Sequence, residues 1–201
     1  MSDKEAGLAF EKAATIQSQN LQENDDAANT LNDAFKVYRK TDPEDAARVL
    51  SSAIQHYVAK GNLRRAATQQ QYLAEVYEVE IGDMKRALDA YEKAADWFES
   101  DNAEAWVLSP WILFVFPFFF FLFLGLLVLY MFADRLSLVI SSLANKHYLK
   151  VADLAALDGD YYKAIEQYER VGRSSINSNL MKWSVKEYFL KAGICHLATK
   201  V

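Results

Sequence analysis

The side chains able to do covalent, acid–base or metal chemistry are few and scattered along this chain. His56, His147 and His196 lie far apart, and none adjoins a cysteine or a pair of carboxylates in a recognisable motif. Cys195 is the single cysteine, so no internal disulfide can close, and a disulfide-stapled secreted domain is excluded. In the run LKAGICHLA it reads as a small buried hydrophobe rather than a reactive thiol. Asp158 and Asp160 flank Gly159, where carboxylates serve as helix caps. The phosphate loop GxxxxGK[ST] and the motifs GxGxxG, GxSxG and HExxH are all absent. The expectation is a protein that is not an enzyme, has no metal or other cofactor, and works in a reducing compartment.

What remains is chemistry of contact, and the elements that would present it are helices. The 201 residues carry a net charge of −5, are 52% hydrophobic, and include only 7 Gly and 3 Pro, which argues against a disordered or turn-rich β chain. Acids and bases are interspersed, with no single-sign field of the kind that nucleic acid requires. A fixed pattern recurs: a small residue, a large or apolar one four later, and a small or apolar one three after that. It reads Ala27/Leu31/Ala34, Ala46/Leu50/Ala53, Ala66/Gln70/Leu73, Ala87/Tyr91/Ala94, Ala144/Tyr148/Val151 and Ala164/Tyr168/Val171, with Ser184/Tyr188 as a weaker match. Spacings of three and four put each set on one helix face, so each block predicts one amphipathic helix. Phe35, Trp97 and Phe98 are expected to pack on the same faces. Turn signals separate the blocks at Thr41-Asp42-Pro43, Lys60-Gly61-Asn62, Ile81-Gly82-Asp83 and Leu157-Asp158-Gly159-Asp160. Two helices per ~40 residues predict an all-α, tetratricopeptide-like α-solenoid of antiparallel helix hairpins.

One segment breaks this regularity. No Asp, Glu, Lys or Arg occurs from Ala105 to Ala133, and residues 111–132 read WILFVFPFFFFLFLGLLVLYMF. Twenty-two helical residues span ~33 Å, enough for a hydrocarbon core of ~30 Å, so the segment is a candidate for a membrane-spanning (TM-like) helical insertion. Block starts are 19, 20 and 21 residues apart as far as Ala87, and then 57 separate Ala87 from Ala144. Removing the 37 residues from Trp106 to Ser142 turns 57 into 20, and the steps that follow are also 20. The predicted division is therefore 1–105 helical hairpins, 106–142 a hydrophobic insertion, and 143–201 helical hairpins again.

The blocks resemble the alpha-type soluble NSF attachment proteins, in a fungal-looking version. The runs that carry the likeness are AFEKAATIQ, DDAANTL, AFKVYRKTDPEDAARVL, AIQHY, GNLRRAA, LAEVYE, GDMKRALDAYEKAADWFE and DNAEA. Beyond the insertion they are LANKHYLKVADLAALDGDYYKAIEQYERVGRSSI and NLMKWSVKEYFLKAGICHLA. In the family DNAEA runs straight into LANK. The resemblance implies an adaptor that coats the SNARE four-helix bundle and recruits the hexameric ATPase NSF for SNARE disassembly, with no chemistry of its own. It further implies cytoplasmic protein held peripherally on ER, Golgi, vesicle and vacuole membranes, and integral in membrane only if 111–132 is genuinely expressed. The family's N-terminal membrane-touching portion and its C-terminal bundle, whose end contacts NSF, would lie outside the stretch that the likeness covers. An acidic helical partner calls for basic and apolar side chains on one face of a scaffold. The implied SNARE-binding candidates are Arg64 and Arg65, Lys146 and Lys150 four apart on one helix face, and Leu180, Trp183 and Lys186. Thr68 stands where some relatives carry a basic residue, and Trp183 has a second reading as core of the last helix.

Three origins of the insertion remain open on sequence. A pyrimidine-rich intron, translated in frame, yields Phe/Leu-rich runs such as FPFFFFLFLGLL, and this reading is favoured. A true membrane span would leave the hairpins on opposite sides and give a membrane-anchored helical-repeat scaffold with other partners. A hydrophobic hairpin turning at Pro110, Pro117 or Gly125 would dip into one leaflet.

Overall fold

A computed structural model describes residues 3–19, 23–114, 142–176 and 182–199, with side chains described outside 102–114. Every regular element among these residues is helical: α1 (Asp3–Gln19), α2 (Asn24–Tyr38), α3 (Pro43–Ala59), α4 (Leu63–Glu75), a π-helical segment (Val76–Ile81), α5 (Met84–Phe114), α6 (142–158), α7 (Tyr161–Ser175) and α8 (Val185–Thr199). The chain divides into two compact units, Met1–Ala94 and Ala95–Val201, with the boundary inside α5.

Each predicted block from Ala27 to Val171 sits on one helix and is buried. Ala27, Ala34, Ala46, Leu50, Ala53, Ala66, Ala87, Ala94, Val151, Ala164 and Val171 have no exposed surface. Alanine at these places lets helix axes approach closely, and the larger partners fill the space between. Phe35 and Phe98 are buried as expected, while Trp97 is half-buried. The last block is the weak one: Ser184 precedes α8, and Tyr188 is only half-buried. The spacing pattern did not reveal α1, whose few buried positions include Gly7 and Ala14. Gly7 is demanded by packing, because a Cβ there would lie 2.5 Å from Tyr38 Cζ.

The turns are built as the sequence signals. Asp42 caps α3, accepting from the backbone N–H groups of Glu44 and Asp45, and Pro43 opens the helix where no donor is needed. Asp160 caps α7 by accepting from Lys163 N at 3.2 Å, whereas Asp158 makes no cap. The α4 hairpin differs from the others. Its helix widens into a π-helical turn before Gly82 reverses the chain at φ 79°, a left-handed value suited to glycine. A π turn holds one residue more than an α turn, which accommodates the 21-residue step between blocks here.

Two kinds of contact repeat within the units. Neighbouring helices pack pairwise, α1 on α2, α2 on α3, α3 on α4 and α7 on α8. A tyrosine from one element donates to a carboxylate on an earlier one: Tyr38 to Glu11 at 2.8 Å, Tyr91 to Glu78 at 2.9 Å, Tyr148 to Glu99 at 2.9 Å and Tyr168 to Asp153 at 2.5 Å. Ion pairs also join elements two apart. In the first unit Arg48 of α3 meets Glu11 of α1 at 2.8 Å, Arg86 of α5 meets Glu44 of α3 at 2.8 Å, and Arg39 meets Glu80 at 2.6 Å. In the second, Arg170 of α7 meets Glu99 of α5 at 2.5 Å, and Lys191 of α8 meets Asp153 of α6 at 3.1 Å.

Among the described residues no helix is long and apolar enough to cross a membrane. The expected membrane-like helix over 111–132 falls almost wholly outside the described residues, of which α5 includes those up to Phe114.

Candidate functional site

In the first unit α2, α3 and α4 frame a cleft of about 450 Å³. The Gly61 turn places Arg64 and Arg65 in the first turn of α4, which contains no acidic residue, so two guanidiniums reinforce the positive end of the helix. Asn29 and Asn32 reach the same cleft from α2, Tyr57 from α3, and Thr68 and Gln69 from the next turn of α4. Asn32 Nδ2 donates to Tyr57 Oη at 3.1 Å, and Tyr57 Oη donates to Asn29 Oδ1 at 3.0 Å. Burial pushes the Tyr57 phenol up, against the opposing pull of the Arg65 charge. Asn32 keeps its Oδ1 buried without a hydrogen-bond partner.

The charge pattern singles out this cleft. Arg39, Arg48, Arg86, Arg170 and Arg173 each hold a carboxylate. The Arg48 guanidinium holds Glu11 below the ordinary carboxylate range, and the Arg86 guanidinium does the same for Glu44; Asp83 is lowered first by the backbone N–H of Arg86 and then by its guanidinium. Among the described arginines only Arg64 and Arg65 form no ion pair, and no carboxylate lines their cleft.

The other candidates belong to the second unit. Lys146 is exposed on α6, and Lys150 follows one turn later, half-exposed. Leu180 lies outside the described residues. Trp183 is 88% exposed just before α8, which corrects its reading as core of the last helix. Its indole stands ahead of the helix start, so no helix periodicity directs it inward. Lys186 is exposed in the first turn of α8, and the helix also shows Leu190, Ile194 and Leu197 to solvent. Cys195 is buried, and burial raises its thiol pKa, in keeping with a packing role. The residue-by-residue reading missed Asn29, Asn32, Tyr57 and Gln69. Their signal was weak: two asparagines three apart in NTLND, on a helix whose other face is alanine.

The family pattern of the soluble NSF attachment proteins, SNAP, matches residues 2–111 and 138–201. The chain belongs to this family. Among relatives, it is 45% identical to the probable vesicular-fusion protein sec17 homolog of Neurospora crassa over 99% of this chain and 56% of that protein. It is 43% identical to the protein of the same name in Schizosaccharomyces pombe, over 96% of this chain and 54% of the relative. Human alpha-soluble NSF attachment protein is 35% identical over 95% of this chain and 52% of its own length. The chain thus spans about half the length of the curated relatives it matches. The family pattern passes over 112–137, inside the expected insertion. No group of His, Cys, Asp or Glu among the described residues could hold a metal ion.

Proposed function

We propose that this chain is the helical-hairpin portion of an adaptor that binds the SNARE four-helix bundle and recruits the ATPase NSF, serving SNARE disassembly in vesicle traffic. The observation that carries the reading is the family match, on both sides of the apolar segment, with relatives named for vesicular fusion and NSF attachment. Such an adaptor performs no bond chemistry. It works peripherally on ER, Golgi, vesicle and vacuole membranes.

The scaffold of this reading is a tetratricopeptide-like α-solenoid. Pairwise packing of consecutive helices and ion pairs between alternate ones support it, since each hairpin then covers the apolar face of the last. The division is 1–105 hairpins, 106–142 insertion, 143–201 hairpins. An acidic bundle would meet Arg64 and Arg65 on one unit and Lys146, Lys150, Leu180, Trp183 and Lys186 on the other. Exposure favours this role for the lysines and for Trp183, whose indole is a large amphipathic contact surface.

The test is retention of an assembled SNARE complex on the immobilised chain freed of residues 106–142. Retention is expected, and reversing Lys146→Glu and Lys150→Glu together should weaken it by at least about tenfold at moderate salt. Unchanged retention by the double variant would remove the two lysines from the interface. No retention by the parent would overturn the adaptor reading.

A further inference from the structure

We propose that the cleft between α2, α3 and α4 binds a phosphorylated polyol, with its phosphate on Arg64 and Arg65 and its hydroxyls on Asn29, Asn32 and Gln69. In a chain of net charge −5 whose other described arginines are all spoken for, two adjacent guanidiniums face a cleft without a carboxylate. That arrangement is repulsive until an anion enters. Consecutive helix residues diverge by ~100° about the axis, so the two guanidiniums reach an anion from different sides. A tetrahedral phosphate offers oxygens in several directions, whereas a carboxylate offers its lone pairs in one plane.

The rest of the cleft describes the rest of the ligand. The cleft is open to solvent, and its volume of about 450 Å³ far exceeds a bare phosphate. Every side chain that lines it carries a polar group, so a ligand rich in hydroxyls finds partners on all sides. The Oδ1 of Asn32 is buried without a partner, an acceptor that a hydroxyl would satisfy once the side chain turns toward the cleft. The Asn29 NH₂ and the Gln69 amide form no hydrogen bond among the described residues and supply donors and a further acceptor. Hydroxyls satisfy both kinds. The same chemistry could come from a soluble sugar or inositol phosphate or from a phosphoinositide head group. The net negative chain opposes adsorption to an anionic surface and favours the soluble source. This site stands whether or not the same arginines also meet a protein helix.

The full chain is titrated with myo-inositol monophosphate, with myo-inositol and inorganic phosphate separately, and with vesicles containing phosphatidylinositol phosphate or phosphatidylserine. The monophosphate is expected to bind more tightly than either fragment, and to shift the side-chain amide resonances of Asn29, Asn32 and Gln69 in the unaltered protein. Arg64→Gln and Arg65→Gln should each lower the affinity at least about tenfold, as expected for loss of a charge-assisted hydrogen bond, while Arg173→Gln leaves it unchanged. Binding confined to phosphatidylinositol phosphate vesicles, with the same arginine dependence, supports the site and makes the lipid its source. Equal affinity for inorganic phosphate and the monophosphate, no binding of any phosphorylated probe at millimolar concentration, or binding indifferent to both arginines would each overturn the proposal.

Discussion

Tyrosine hydroxyls do much of the polar work inside this helical chain. Each of Tyr38, Tyr91, Tyr148 and Tyr168 buries its ring and donates its one proton to a carboxylate. Burial raises their pKa values first, and the carboxylate beside each adds to it; Tyr38 is pushed up to about 12. Because the folded-state values lie above the unfolded ones, these groups contribute their full stability below the ordinary phenol value of ~10. That contribution is lost as pH rises through ~10 toward the folded-state values. Helix content should therefore hold steady from neutrality to about pH 9 and fall together with tyrosinate absorbance above about pH 10. Tyrosinate formation near pH 10 with the helical signal intact would show these hydroxyls to be free of such bonds.

Two glycines of the same open surroundings separate backbone from packing at the element scale. Neither Gly82, at the end of the π-helical segment, nor Gly193, inside α8, has anything within 4 Å of a built Cβ. Gly82 sits at φ 79°, so Gly82→Ala should destabilise by roughly 1–2 kcal/mol through the left-handed conformation alone. Gly193→Ala should stabilise by up to about 1 kcal/mol through helix propensity. Urea denaturation of both variants checks the opposite signs, and a neutral Gly82→Ala would mean that the reversal is not held at this residue. The helices themselves were legible because buried alanines and their large partners recur at three and four, and because Asp-Pro and Gly-Asp pairs mark the turns. The π-helical turn was not: it serves tertiary contacts, Tyr77 beneath Arg86, Glu78 to Tyr91 and Glu80 to Arg39, that no local pattern encodes. The arginine pair was legible through the family likeness, but the cleft was not, since Asn29 and Gln69 meet only when α2 and α4 pack around α3.

For the molecule as a whole, the decisive question is whether residues 106–142 belong to the folded array. The tyrosine–carboxylate bond spans 13 residues from Tyr91 to Glu78, 15 from Tyr168 to Asp153 and 27 from Tyr38 to Glu11, but 49 from Tyr148 to Glu99. Subtracting the 37 residues of the segment leaves 12, within the range of an ordinary hairpin. The alternate-helix ion pairs agree. Arg48–Glu11, Lys191–Asp153 and Arg86–Glu44 span 37, 38 and 42 residues, while Arg170–Glu99 spans 71, which becomes 34. Phe98 also stacks on His147 at 5.4 Å across the same gap, so the described parts of α5 and α6 lie against each other whatever their separation in sequence. Shortening the connection between two packed helices lowers its closure entropy, worth about 1–2 kcal/mol for a fourfold to eightfold change in length. A chain joined from Ala105 to Leu143 should therefore stay folded in the absence of detergent, with unchanged helical signal per remaining hairpin and a urea midpoint at or above that of the intact chain. A fall in stability, or loss of the Phe98–His147 ring contact by NMR, would show that the segment supports the array instead of interrupting it.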